Sequence, residues 1–104
     1  MIKEQFPPSW QNQLAQLGFE DLTAIQEKMF EPISAGDTVL GISPTGTGKT
    51  LAYLFPSLLR LTPKKAQQLL ILAPNTELAG QIFEVCKTWA DPLGLTAQLL
   101  LSGS

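Results

Sequence analysis

Histidine is absent from these 104 residues, and cysteine occurs once, as Cys86. The first absence removes the commonest general base and metal ligand. The second rules out an internal disulfide and favours a reducing, cytoplasmic setting. An excess of positive charge is lacking too: seven Lys and Arg stand against nine Asp and Glu, for a formal charge of −2. No basic field announces a polyanion, so any nucleic-acid contact has to come from a local site. No apolar run follows the charged start Met1–Gln5, and none reaches the length a bilayer requires. Neither a signal peptide nor a spanning helix is therefore expected.

What is present is an apolar-rich, lightly charged chain, with 44% hydrophobic and 15% charged residues. That balance suits a globular α/β core and argues against disorder. The length fits one compact domain. Ser9 is placed to cap a short helix with Trp10, Leu14 and Leu17 on one face, ended by Gly18. A second helix is predicted from Thr23 to Ala35, with Ile25, Met29, Phe30 and Ile33 as its stripe. Gly36-Asp37 stops it. Residues 38–42 read as a buried strand, and a helix with a kink at Pro56 follows over 49–61. The run 69–73 reads as a second strand. Thr76 is placed to cap a helix reaching about Ala90, with Leu78, Ile82, Val85 and Trp89 inward. Residues 96–101 read as a third strand. Strand, helix, strand, helix, strand implies right-handed crossovers and a parallel sheet with flanking helices.

Between the first strand and its helix lies Ser43-Pro44-Thr45-Gly46-Thr47-Gly48-Lys49-Thr50. This is the context a phosphate-binding loop requires. Gly46 and Gly48 can take backbone angles that let the main chain wrap an anion, with successive N–H groups turned inward. The following helix start adds its positive dipole end. Lys49 would reach the terminal phosphates of a nucleoside triphosphate. The Thr50 hydroxyl would hold Mg²⁺, which prefers oxygen ligands shared with phosphates. Ser43 stands where the strict pattern has glycine. The bland reading, a glycine-rich turn that merely starts a helix, explains Gly-Thr-Gly-Lys-Thr after an apolar strand poorly.

Upstream, Gly18-Phe19-Glu20-Asp21-Leu22-Thr23-Ala24-Ile25-Gln26 precedes the loop. Together the two stretches resemble the DEAD-box RNA helicase family, whose glutamine motif has the form Gly-aromatic-x-x-Pro-Thr-x-Ile-Gln. Gly18, Phe19, Thr23, Ile25 and Gln26 match, and Leu22 replaces the usual proline. The resemblance implies that ATP is the ligand, that Gln26 reads adenine, that Thr23 supports the loop and that Phe19 belongs to the site. A carboxamide can accept from the adenine amino group and donate to the adjacent ring nitrogen. The family stacks an upstream aromatic on adenine, and Phe6 is the candidate. Thr23 and Gln26 also form the Thr-x-x-Gln capping box, which by itself would only start a helix. The two readings are compatible.

Further along, Ala73-Pro74-Asn75-Thr76-Glu77-Leu78-Ala79 resembles the family's Pro-Thr-Arg-Glu-Leu-Ala, which touches the RNA backbone. Asn75 replaces threonine and Thr76 replaces arginine. Pro74, Asn75 and Thr76 are thus candidate RNA contacts by resemblance, and an ordinary helix cap is the alternative for Thr76. Gly103 resembles the first of the family's paired glycines near RNA. Lys64, Lys65 and Lys87 read as a solvated face, Trp10 and Trp89 as packing residues and Cys86 as a small buried filler.

By this resemblance residues 1–104 are the N-terminal portion of a helicase ATP-binding domain, with a glutamine motif at 18–26 and a phosphate loop at 43–50. The implied fold is a partial P-loop NTPase of RecA-like type, interrupted before the strand that bears Asp-Glu-Ala-Asp. That sequence, the Ser-Ala-Thr segment and a second RecA-like domain are not in the chain. The missing strands would leave unpaired edges. The parent protein is expected to be an ATP-dependent RNA helicase using ATP and Mg²⁺, with RNA and the remainder of the helicase core as partners. The chain alone is expected not to hydrolyse ATP. Two other classes remain open: a DNA helicase or translocase of the same superfamily, and a non-catalytic nucleotide-binding module.

Overall fold

The structure, a computed structural model, describes residues 2–19, 21–41, 48–65 and 68–101. It falls into two units, Met1–Arg60 and Leu61–Ser104.

In the first unit a short 3₁₀ turn, Ile2–Gln5, precedes helix α1, Pro8–Gln16. Ser9 does not cap α1. Pro7 holds that position, with its carbonyl accepting from the N–H groups of Trp10 and Gln11 at 3.0 and 3.1 Å. A proline at the first helical position wastes no hydrogen bond and already has the helical φ, so Pro8 sets the start two residues earlier than a serine cap would. Gly18, at φ +78°, closes α1: its N–H reaches the Ala15 carbonyl, and the Phe19 N–H reaches Leu14 at 2.9 Å. Two orphan carbonyls are thereby satisfied by a left-handed C-terminal turn. Trp10 and Leu14 are buried as their spacing predicts, whereas Leu17 is exposed.

Helix α2 spans Ala24–Ser34 and ends in the same type of turn at Gly36, where the Asp37 N–H bonds the Pro32 carbonyl at 2.9 Å. Helix α3, Lys49–Leu59, packs on α2 and runs on through Pro56. Arg60 ties their ends by donating to the Ile33 carbonyl at 3.3 Å. The core is aromatic. Phe6 lies 5.2 Å from Trp10 edge-on, 4.9 Å from Phe55 and 5.9 Å from Phe30, centroid to centroid. Ala52, Leu54 and Leu58 of α3 are buried as well. Each such large side chain contributes about 1.5–3 kcal/mol by leaving water, and edge-to-face pairs add about 0.5–1.5 kcal/mol.

In the second unit, helix α4 spans Thr76–Ala90. Asn75, not Thr76, is its cap: the Asn75 Oδ1 accepts from the Leu78 N–H at 2.8 Å. Thr76 is already helical. Asparagine is the stronger cap because its carbonyl oxygen reaches the third N–H with less distortion. A 3₁₀ turn, Asp91–Leu93, and Gly94 at φ +75° carry the chain off α4. Trp89, Ala90 and Leu95 are buried, while Ile82 and Val85 are only half-buried and Leu78 is exposed.

The predicted parallel sheet is not present. Among the described residues there are helices and turns but no strand. The segments 38–41, 69–73 and 96–101 make no ladder, and Leu40, Leu72 and Leu100 are more than four-fifths exposed, at 86, 84 and 81%. Ile42, the end of the first predicted strand, lies outside the described residues. The reason is physical. A helix closes its hydrogen bonds within one segment, but a strand exists only where a neighbouring segment completes its ladder. An apolar run reports burial propensity, not the presence of that neighbour.

Candidate functional site

The centre of the site is a carboxamide. Gln26 lies in the first turn of α2 and is only 7% exposed. Its Oε1 accepts from the Thr23 N–H at 3.0 Å, and its own N–H donates to the Thr23 Oγ1 at 3.4 Å. The capping box is therefore complete, as the Thr-x-x-Gln spacing predicts. The remaining end of the amide does something a cap does not require. Gln26 Nε2 donates to the Gly48 carbonyl at 3.2 Å, across 22 positions of sequence. The start of α2 is thus fastened to the start of α3.

Gly48 is the residue immediately before α3 and sits at φ +83°, ψ 30°. Two constraints meet there. The left-handed backbone disfavours any side chain. A Cβ would also run into Gln26 Nε2 and stand 3.4 Å from Thr23 Oγ1. The Gly48 carbonyl accepts a second bond from the Ala52 N–H at 3.0 Å, the first of the helix. Lys49 is the first residue of α3 and is exposed; Thr50 follows, half-buried. The N–H groups of a first helical turn have no acceptor inside the helix and carry its positive dipole end. The arrangement can take an anion at α3, with an ammonium and a hydroxyl beside it.

Of the predicted loop residues, Ser43, Pro44, Thr45, Gly46 and Thr47 lie outside the described residues, and so does Gly103 near the C-terminus. Thr23, Gln26, Gly48, Lys49 and Thr50 are described and all belong to the first unit. Phe19 is 49% exposed, so it is a surface residue and not a core one. Phe6 is 3% exposed within the aromatic cluster. Its ring packs against Trp10, Phe30 and Phe55, so in this structure it is a core residue and not an open stacking face. Pro74, Asn75 and Thr76 are exposed in the second unit, and the Asn75 side chain is engaged as the α4 cap.

One residue escaped the sequence reading. Gly41 precedes the loop, and a Cβ there would meet Met29 Sδ at 2.6 Å and Ile25 Cδ1 at 3.5 Å. Helix α2 approaches the backbone at Gly41 because no side chain is there. A lone glycine inside an apolar run is the signal that could have marked it. Cys86 is half-buried rather than fully buried. Burial, and then the Asp91 carboxylate, push its thiol above the ordinary range. The neutral thiol is neither a nucleophile nor a metal ligand. Among the described residues no group of three or more His, Cys, Asp or Glu could hold a metal ion, and no helix is long and apolar enough to cross a membrane.

Comparison with known proteins places this geometry in context. Residues 23–104 match the family described as DEAD/DEAH box helicase. The chain is 46% identical over 88 residues to the probable ATP-dependent RNA helicase YfmL of Bacillus subtilis, covering 84% of this chain and 23% of that protein. It is 39% identical over 105 residues to the DEAD-box ATP-dependent RNA helicase CshC of Bacillus cereus, covering 100% of this chain and 27% of the relative. With the ATP-dependent RNA helicase has1 of Schizosaccharomyces pombe it shares 40% identity over 88 residues, 80% of this chain and 15% of the relative. The chain thus spans about a quarter or less of the length of these relatives.

Proposed function

Because this chain belongs to the DEAD/DEAH box helicase family, we propose that it is the nucleotide-binding segment of an ATP-dependent RNA helicase, with Gln26 reading adenine and the loop 43–50 holding the triphosphate. The observation that carries this reading is the hydrogen bond from Gln26 Nε2 to the Gly48 carbonyl. It brings the proposed base-reading residue to the end of the proposed phosphate loop. A capping box alone needs no such partner.

In this reading the phosphates lie against the first turn of α3. The absence of a Cβ at Gly48 lets the Gln26 amide reach the backbone there, and the free N–H groups that follow it are proposed to meet the phosphates. Lys49 neutralises charge on the outer phosphates. Thr50 would supply one hydroxyl to Mg²⁺, whose other ligands come from phosphate oxygens and water. The Gln26 amide nitrogen carries two N–H groups, so it can hold the Gly48 carbonyl with one and leave the other for adenine. Asn75 and Thr76, and Gly103 beyond the described residues, are proposed to donate hydrogen bonds to the RNA backbone, with Pro74 beside them in van der Waals contact only, since it has no N–H. The chain by itself is proposed to bind without turnover. In-line displacement needs a positioned water and a charge clamp on the transition state, which the residues of this site do not supply.

Calorimetric titration of the chain with Mg·ATP tests the reading. Saturable binding, weakened at least about tenfold by Lys49→Ala, is expected. GTP should compete poorly against ATP for the unaltered chain and less poorly for Gln26→Ala. Equal affinity of the Lys49→Ala chain and the parent for ATP would remove the phosphate-loop assignment.

A further inference from the structure

Helix α2 touches the described residues on both sides of the stretch 42–47, and all of them belong to the first unit. On the far side Gln26 Nε2 donates to the Gly48 carbonyl at 3.2 Å. On the near side, the place a Cβ on Gly41 would take lies 2.6 Å from Met29 Sδ, 3.1 Å from Met29 Cε and 3.5 Å from Ile25 Cδ1. Residues three apart share one face of a helix, with Cβ atoms about 5–6 Å apart. One turn of α2 therefore presents an amide to one glycine and a thioether to the other. Each group occupies the space of a missing side chain. Met29 is half-buried. Its unbranched, polarisable thioether suits an irregular gap over bare backbone.

We propose that Met29 is a positioning residue for the phosphate loop: its thioether fills the slot a side chain at position 41 would take and fixes the entry of the loop, as Gln26 fixes its exit. The inference rests on the phosphate-binding reading of residues 43–50. Bringing two chain ends together costs entropy whether or not a ligand is present. With both ends held by α2 beforehand, that cost no longer falls on the binding step. The Gln26 contact alone leaves the entry free to move. The Met29 contact is apolar, so its effect on binding does not fade with salt as an exposed charge contact does. Met29 meets no phosphate itself; it acts through the backbone at Gly41.

Mg·ATP titration of a small variant set tests this, at a temperature where circular dichroism shows each chain folded. Met29→Ala should weaken binding by about three- to tenfold, at low and high salt alike. Met29→Leu keeps the volume and should stay within about twofold of the parent. Gly41→Ala alone should weaken binding as well, because its methyl displaces the thioether. Combined with Met29→Ala, the same methyl enters vacated space and should recover most of the loss, so the two effects do not add. A merely structural methionine would lower the urea midpoint and leave the affinity of the folded chain unmoved. Should Met29→Ala not fold, Gly41→Ala carries the test without altering α2, and parent-like affinity there overturns the proposal. Met29→Ala binding as the parent does, while Lys49→Ala does not, overturns the role of Met29 and leaves the phosphate loop standing. Losses that simply add in the double variant overturn the contact as their cause. A parent chain that binds no Mg·ATP removes the phosphate-binding reading and this inference with it.

Discussion

Gly48 concentrates more constraint than any other described residue of the site. Its φ of +83° lies where a side chain is strained, and the place a Cβ would take is held by Gln26 and Thr23. Gly48→Ala is expected to cost about 1–2 kcal/mol from the left-handed backbone alone, and to push the Gln26 amide off the Gly48 carbonyl. Urea denaturation measures the first effect, and ATP titration of the same variant the second. Cys86 behaves differently. Its thiol is pushed up by burial and then by Asp91, so the folded chain prefers the neutral form more than the unfolded chain does. The stabilisation this represents is fully present below the ordinary thiol pKa and is lost as pH rises through the raised one. Alkylation of the native chain by iodoacetamide should be slow at neutral pH and accelerate only at higher pH than for the urea-unfolded chain. Equal rates in the two states would show that Cys86 is not shielded.

At the scale of elements, the starts of the helices decide more than their apolar stripes. Helix α4 is started by Asn75, whose Oδ1 holds the Leu78 N–H. Asn75→Ala should cost about 1 kcal/mol of helix stability, whereas Thr76→Ala should cost only a few tenths. Thermal unfolding followed by circular dichroism separates the two, and the opposite ranking would restore threonine as the cap. Helix α2 is started by the reciprocal pair Thr23 and Gln26. That start was legible because the capping box is a local pattern, complete within four residues. The start of α1 was misplaced because Pro8, with its fixed φ, already begins the helix before Ser9, leaving Pro7 in the cap position. The sheet was not recoverable in the same way. Its three apolar runs, 38–42, 69–73 and 96–101, say what each segment prefers and nothing about whether a neighbour is available.

For the molecule as a whole, the stability of the first unit rests on the aromatic cluster. Phe55 is 1% exposed and touches both Phe6 and Trp10, with Trp10 fully buried. Phe55→Ala is expected to cost about 3–5 kcal/mol through lost transfer energy and a cavity. That is a large part of the stability of an ordinary domain. The loss should appear as a lower urea midpoint and a red shift of tryptophan emission as Trp10 is wetted. A midpoint unchanged from the parent would show that the cluster does not govern folding.

The residue types and spacings of Thr23, Gln26, Gly48, Lys49 and Thr50 were sufficient to nominate the candidate site, because each belongs to a local motif. The existence of α2, α3 and α4 was legible too, with ends correct to within two residues, since a helix satisfies its own backbone. Tertiary structure alone decided three matters. It turned Phe6 inward, because a ring that can be covered by Trp10, Phe30 and Phe55 gains more there than in water. It showed Gln26 reaching Gly48, a contact between two helix starts that no single segment encodes. And among the described residues it left the three strand-like runs without ladders, because a strand needs a partner that its own residues cannot supply.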